Sequence, residues 1–328
     1  MPAPLRVVVT GSSGFLGRAF AQALVARGDD VTGIDLASLP GAAWPTRRAD
    51  LAAPGAWERA VDGADLVVHT AALVGEAGTA AAFRRANVET TRRVVAASEA
   101  SGVGRLLHVS SVVVHGRTFP HGVGEDGPMR PTGNPYTDTK IESECLVVAA
   151  HAAGRVRATV IRPGDVYGPR SAQWTVRAVE MLRAGRFALV DGDRGVLSPV
   201  FVSDVVASGL SAAGSEAGLG EAFHVTGGVG VSPRDFFGRY ARMLGVPLRS
   251  VPPAVARAAA PVVAALFGAM GRPAPLSGRT LEYVTHPGTY SVDKAARLLG
   301  WHPAVGLDAG MRLTEAWLRA EGYVGTGK

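Results

Sequence analysis

The sequence predicts an α/β fold, a doubly wound parallel sheet with a smaller mixed C-terminal substrate lobe. Three observations carry this. Short apolar, β-branched runs alternate with helix-forming stretches through the first half of the chain. A glycine-rich turn joins the first of these runs to the first helix. Later, a strand ending in two serines precedes a helix with a tyrosine and a lysine four residues apart. The composition agrees: 328 residues, 47% hydrophobic and 19% charged, imply a sizeable core and exclude global disorder.

The chain is organised around Leu5–Arg18, LRVVVTGSSGFLGR. Leu5 and Val7–Val9 read as a strand buried on both faces. Gly11, Gly14 and Gly17 follow, then the helix formers of Ala19–Ala26. Such a turn lets backbone approach closely and points the free N–H groups of the helix start at an anion. A dinucleotide pyrophosphate is the expected ligand, and the core is expected to be Rossmann-like.

Asp30–Leu36 reads as the second strand. Its Asp35 lies 18 residues beyond Gly17, where a ribose-binding carboxylate belongs. A carboxylate there accepts from the adenosine 2′-hydroxyl and repels a 2′-phosphate, so NAD is expected over NADP. A short third strand precedes Asp50-Leu51. Leu66–His69 is the fourth, followed by the small residues Thr70, Ala71 and Ala72 that leave room for a cofactor. His69 reads as packed beside that cofactor, without a chemical role. A helix is expected over Phe83–Ala100, its Asn87 and Thr90 bonding nearby backbone. Leu106–Ser111 is the fifth strand, ending in Ser110 and Ser111.

After a Gly- and Pro-rich loop, a helix is expected over Tyr136–Ala153. Tyr136 and Lys140 then share one face, one turn apart. A nearby ammonium lowers a phenol toward neutrality, so Tyr136 can exchange a proton with an alcohol or ketone. Ser111 can hydrogen-bond the same oxygen, and Lys140 can also hold a ribose.

Beyond residue 170 the periodicity weakens. Helices are expected over Trp174–Ala184, Ser232–Leu244 and Met311–Ala320, and strands over Phe187–Val190 and Phe223–Val225. Residues 1–170 form the cofactor-binding core and 171–328 mainly the substrate lobe, with 200–225 returning to the core. Gln173, Trp174 and Phe201 are candidates to line a pocket or simply to pack. The apolar run Val251–Met270 is interrupted by Arg257 and Pro261, which argues against a membrane span. It reads as a packed helix, an apolar lid, or a surface element touching membrane.

The net charge of +6 comes from scattered arginines; the only lysines are Lys140, Lys294 and Lys328. No basic block appears, so nucleic acid is not an expected partner, though the charge suits an anionic ligand. The single cysteine, Cys145, excludes an internal disulfide and fits a reducing compartment. No leader is expected, which places the chain in the cytoplasm.

Taken together, the motifs GSSGFLG (11–17), Asp35, HTAA (69–72), NVET (87–90), Ser110-Ser111, YTDTK (136–140) and RPGDVYGP (162–169) resemble an extended short-chain dehydrogenase/reductase. The resemblance implies Ser111, Tyr136 and Lys140 as catalytic residues, with Ser110 the alternative serine. It implies NAD contacts from Gly11, Ser13, Gly14, Phe15, Leu16, Gly17, Asp35, Asp50, Leu51, Thr70, Ala71, Ala72, Tyr136, Lys140, Pro163 and Val166. No metal is implied. Nucleotide-sugar epimerases and dehydratases share this core, but they usually carry Asn at the position of Gly164 and Arg at that of Leu197. Arg170 and Arg194 are the nearby basic residues. Asn134-Pro135-Tyr136, Arg162-Pro163, Tyr290–Lys294 and Leu298–Trp301 are closer to the 3β-hydroxysteroid dehydrogenase branch. That branch implies an apolar alcohol or ketone, and the family resemblance implies a homodimer joined through helices that include the Tyr136 helix; membrane contact is expected, if at all, only through the apolar run 251–270.

Overall fold

Val7, Val8 and Val9 are buried, as a β-branched run between two helical layers must be. They belong to β1 (Arg6–Thr10), which sits inside a seven-stranded parallel sheet. The computed structural model describes residues 3–75, 78–190, 195–269 and 286–325. In chain order the other sheet strands are β2 (Asp30–Asp35), β3 (Thr46–Arg48), β4 (Leu66–His69), β5 (Arg105–Val109) and β6 (Ala158–Pro163). The last, Ala222–Val225, is β10 in a count that includes three short strands outside the sheet. The spatial order is β10-β6-β5-β4-β1-β2-β3. The chain reverses direction across the sheet between β1 and β4, and a doubly wound sheet binds ligands at the carboxyl ends of such strands.

Helix α1 (Phe15–Arg27) packs through Phe20 and Leu24 and ends at Gly28 in the left-handed conformation. The expected helix over Phe83–Ala100 begins earlier and is not regular. It comprises α2 (Ala80–Phe83), a π-helical segment Arg84–Glu89, and α3 (Thr90–Ala100). Helix α4 (Pro135–Ala152) starts at the N-cap Asn134, whose Oδ1 accepts from Tyr136 N at 2.9 Å, and Pro135 pre-sets its first turn.

The short strands are β7 (Asp165–Tyr167) with β9 (Pro199–Phe201), and β8 (Ala188–Val190) with β11 (Arg249–Val251), each pair parallel. Helix α5 (Arg177–Arg183) follows a π turn at Ala172–Val176, and α6 (Val202–Gly214) lies against α1 and the sheet. Helices α5, α7 (Pro233–Leu244) and the last helix, Leu307–Ala320, enclose a second apolar cluster around Tyr167, Leu189, Phe236, Tyr240 and Leu318. The helix before it, α9 (Asp293–Leu299), packs Ala295 on the sheet's own cluster, beside Trp301.

Val251 is thus a strand residue rather than the start of the apolar helix, because β11 completes a ladder with β8. Helix α8 (Pro253–Ala269) buries Ala256 against Val190 and exposes Val255 and Val262. Among the described side chains, none of α8 lines the central cavity, so the structure gives the lid no support. Met270 and Arg194 lie outside the described residues. No helix among them is long and apolar enough to cross a membrane.

Candidate active site

A large cavity of about 1220 Å³ runs along the carboxyl ends of the strands. Ordinary small-molecule sites occupy roughly 300–1,000 Å³, so this one has room for a dinucleotide and a second molecule. Gly11, Ser13, Gly14, Phe15, Leu16, Gly17, Asp35, Asp50, Leu51, Thr70, Ala71, Ala72, Ser110, Ser111, Tyr136, Pro163 and Val166 all border it.

At the switch point the chain needs glycine. A Cβ on Gly11, which has φ +72°, would lie 2.8 Å from the Ala71 backbone. A Cβ on Gly17 would lie 2.0 Å from Gly11 O. The loop therefore folds back on itself, and no side chain caps the start of α1. That leaves first-turn amides facing the cavity for an anion. Asp35 Oδ2 accepts from Ser13 N at 2.9 Å and Oδ1 from Ala37 N at 3.1 Å, which fixes the carboxylate at the cavity edge with lone pairs to spare. Arg85 and Asp50 pair across the opposite lip.

The π-helical segment has a local purpose. It brings Asn87 beneath the loop after β4, where Oδ1 accepts from Leu73 N at 2.7 Å and Nδ2 donates to Thr139 Oγ1 at 3.0 Å. The cavity wall at Leu73 is thereby tied to α4. His69 does not face the cavity as expected. It lies behind the wall, its ring nitrogens bonded to Thr10 Oγ1 and Thr91 Oγ1 at 2.7 and 2.9 Å. Burial pushes its pKa down to about 3, so it is neutral.

Ser111 caps the turn Val112–His115, its Oγ accepting from Val113 N at 3.3 Å. The two serines diverge. Ser110 donates to Glu144 Oε2 at 2.5 Å, inside the protein, whereas Ser111 shares a hydrogen bond with Tyr136. Burial raises the Tyr136 phenol above its usual value, and the bond with Ser111 pulls it back in part. This differs from the expectation that Lys140 lowers it. Lys140 does not border the cavity; it is buried in the wall, and its Nζ donates to Val109 O at 2.6 Å. Burial brings Lys140 down to about 8, with Glu144 opposing.

That depressed value makes a prediction. Between about 8 and the ordinary 10.5 the unfolded chain holds a proton on Lys140 that the folded chain has lost, so this group's contribution to stability rises with pH through that window. At neutral pH the buried ammonium costs up to roughly 3 kcal/mol, net of the bonds it makes. Lys140→Met is therefore expected to melt at or above the parent temperature at pH 7 while turnover falls about a hundredfold or more. A melting temperature several degrees lower would show that the amine is a structural support.

Gln173 and Trp174 border the far half of the cavity with Phe187, Leu189, Val190 and Phe237; Phe201 does not, because it packs edge-on to Tyr167 in the second cluster. Arg170, at φ 70°, lies 5.9 Å from the Trp317 ring and does not line the cavity. Leu197 is buried, and its backbone pairs with Val231. A Cβ on Gly164 would lie 2.5 Å from Ser198 O, so the backbone here excludes an Asn without rearrangement.

Sequence reasoning missed a buried polar network behind the serines. Arg162 forks onto Glu144, Nη2 to Oε1 at 2.5 Å, and donates to Glu125 O at 2.9 Å. His115 and His224 meet beside it. A charged residue inside the buried strand run ATVIRP was the available signal.

These features, a glycine turn at the switch point, an acid ending β2, and a serine–tyrosine pair over a buried lysine, define a Rossmann-like dinucleotide enzyme of the extended short-chain dehydrogenase/reductase type. The family model described as the NAD dependent epimerase/dehydratase family matches residues 7–217, and the chain belongs to that family. It is 31% identical over 338 residues to a 2-alkyl-3-oxoalkanoate reductase of Stenotrophomonas maltophilia (strain K279a), covering 95% of this chain and 99% of that one. It is 32% identical over 328 residues to the 4-hydroxy-2-methyl-3-oxo-4-farnesyl-3,4-dihydroquinoline-1-oxide ketoreductase of Stigmatella aurantiaca, covering 93% and 95%. Its fold matches the solved structure of MoeE5 in complex with UDP-glucose and NAD at a TM-score of 0.78 and 24% identity, over 96% and 99% of the chains. The cofactor is NAD, and the uncapped α1 amides, the Asp35 carboxylate and the cavity volume suit it.

Proposed function

We propose that this chain interconverts a ketone and a secondary alcohol on an apolar substrate, steroid-like or long-chain. The observation that carries the proposal is the Ser111–Tyr136 pair at the junction of the polar, glycine-lined half of the cavity and its apolar half. NAD, when bound, gives or takes the hydride. Ser111 holds the substrate oxygen. Tyr136 donates a proton to that oxygen in reduction and removes it in oxidation. Lys140 lies in the wall behind the cavity, and to hold the ribose its ammonium must leave Val109 O; the cofactor-facing residues are those named along the cavity.

The apolar half supports the substrate class, since Trp174, Phe187, Leu189, Val190 and Phe237 offer apolar contact to an alkyl chain or a ring system. Both curated relatives above are named as reductases of ketones with alkyl or farnesyl chains. Arg117, Arg177 and Arg186 border the same half, so a carboxylate on the ketone would find a cation there. Residues 171–328 mainly serve the substrate, and the enzyme works in the cytoplasm as a homodimer through α4.

The test is nicotinamide absorbance with NAD or NADH and a panel of hydroxysteroids, long-chain 3-oxo and 3-hydroxy acids, and nucleotide sugars. Steady turnover with a steroid or a long-chain substrate is expected. A nucleotide sugar altered without net NADH would instead establish the epimerase or dehydratase chemistry, against which Gly164 and Leu197 stand.

A further inference from the structure

His115 and His224 are fully buried, and their Nε2 atoms stand 2.8 Å apart with the rings nearly perpendicular. Each ring's other nitrogen faces a backbone carbonyl: His115 Nδ1 to Pro128 O at 3.2 Å, and His224 Nδ1 to Ser291 O at 3.1 Å. A carbonyl only accepts, so each of those contacts requires a proton on Nδ1. The Nε2···Nε2 contact requires another. Three contacts need three protons, and two neutral imidazoles carry two. The geometry points to one extra proton held by this pair, clamping the 112–130 segment to β10.

The neighbours say where the proton sits. Arg162 Nη1 lies 3.5 Å from His115 Nε2 and can only donate, which makes His115 the acceptor and His224 the imidazolium. Glu125 Oε1 accepts from His224 N at 2.8 Å, and Glu144 is held by Arg162. With Glu125 ionised, against the burial that raises its carboxyl, these two carboxylates face the two cations Arg162 and His224. The other groups facing it are Tyr290, whose ring is 5.5 Å from His224, Asp165 near Tyr290, Lys294 paired with Glu221, and His286 stacked on Phe119 beside His115. Burial and the Arg162 guanidinium oppose the charge, pushing His115 toward about 4 and His224 toward about 3. Without the proton, however, two lone pairs would face each other at the Nε2 contact, or a lone pair would face a carbonyl.

The clamp matters because Ser111 opens the segment it holds, and Gly116, Arg117 and Phe119 of that segment border the cavity. His224 is accordingly a positioning residue, remote from the reacting atoms.

The first test needs no substrate. In protein carrying ¹⁵N-histidine, one ring at pH 7 is expected to show both nitrogens protonated, and that signature is expected to vanish in His224→Gln. Neutral tautomers at every histidine assigned to the pair would overturn the proposal. The second test is kinetic and rests on the reduction proposed above. His224→Gln keeps an N–H for His115 and is expected to hold KM for the ketone within about twofold, whereas His224→Phe leaves His115 Nε2 only the long contact with Arg162 Nη1 and is expected to raise it about tenfold with NAD affinity unchanged. Equal KM values for the two variants would overturn the clamp, while the spectrum judges the proton independently of any activity.

Discussion

Tyr136→Phe is expected to lose about three orders of magnitude in turnover while NAD affinity stays within about twofold. The substitution keeps the ring, which packs 6.4 Å from Phe83, and removes only the hydroxyl shared with Ser111. Ser111 retains its bond to Val113 N, so the turn it caps survives. Turnover and equilibrium NAD binding check this together, and retained turnover would refute the assignment of the proton to Tyr136. The direction of the reaction sets the pH response. Burial holds the phenol protonated well past neutrality, so reduction of a ketone has its proton donor loaded and stays level with pH through neutrality. Oxidation of the alcohol needs the phenolate and therefore accelerates as pH rises.

Arg162→Leu is expected to cost about 3–5 kcal/mol of stability, measured by urea unfolding. The cost is not the attraction lost. Glu144 is 1% exposed on its side chain, and without Arg162 it is a carboxylate inside the protein that has lost its paired cation, with Ser110 its remaining hydrogen-bond partner. Arg162→Leu with Glu144→Leu is expected to recover much of the loss, since two apolar groups need no partner. A cost below about 1 kcal/mol for the single variant would mean that water reaches the pair.

What the sequence made legible were features whose cause is local. Val7–Val9 read as a buried strand because β-branched residues between two layers have few other uses, and Gly11, Gly14 and Gly17 read as a turn of close backbone approach, which the contact of Gly17 with Gly11 O is. Asp35 was legible by spacing. The π-helical turn was not, because its cause is the bond from Asn87 to Leu73, fourteen residues back in the chain. Lys140 was placed on the right face, yet its charge was read as if exposed, and its burial reverses the electrostatic argument for Tyr136. His115 and His224 are 109 residues apart, and no periodicity marks such a pairing.

The place of β10 has a consequence for how the molecule is made. This edge strand of the sheet, Ala222–Val225, pairs with β6, which ends at Pro163, and α6 covers α1 from a segment made only slightly earlier. A ribosome that has released residue 170 has therefore delivered six strands whose outermost ladder groups, on β6, have no neighbour. Such an open parallel edge invites pairing with other chains and closes slowly, because its partner lies far along the sequence. Everything from 171 to 221 must be synthesised before β10 can cover the β6 edge, so the hazardous interval in the life of this protein falls during its own translation.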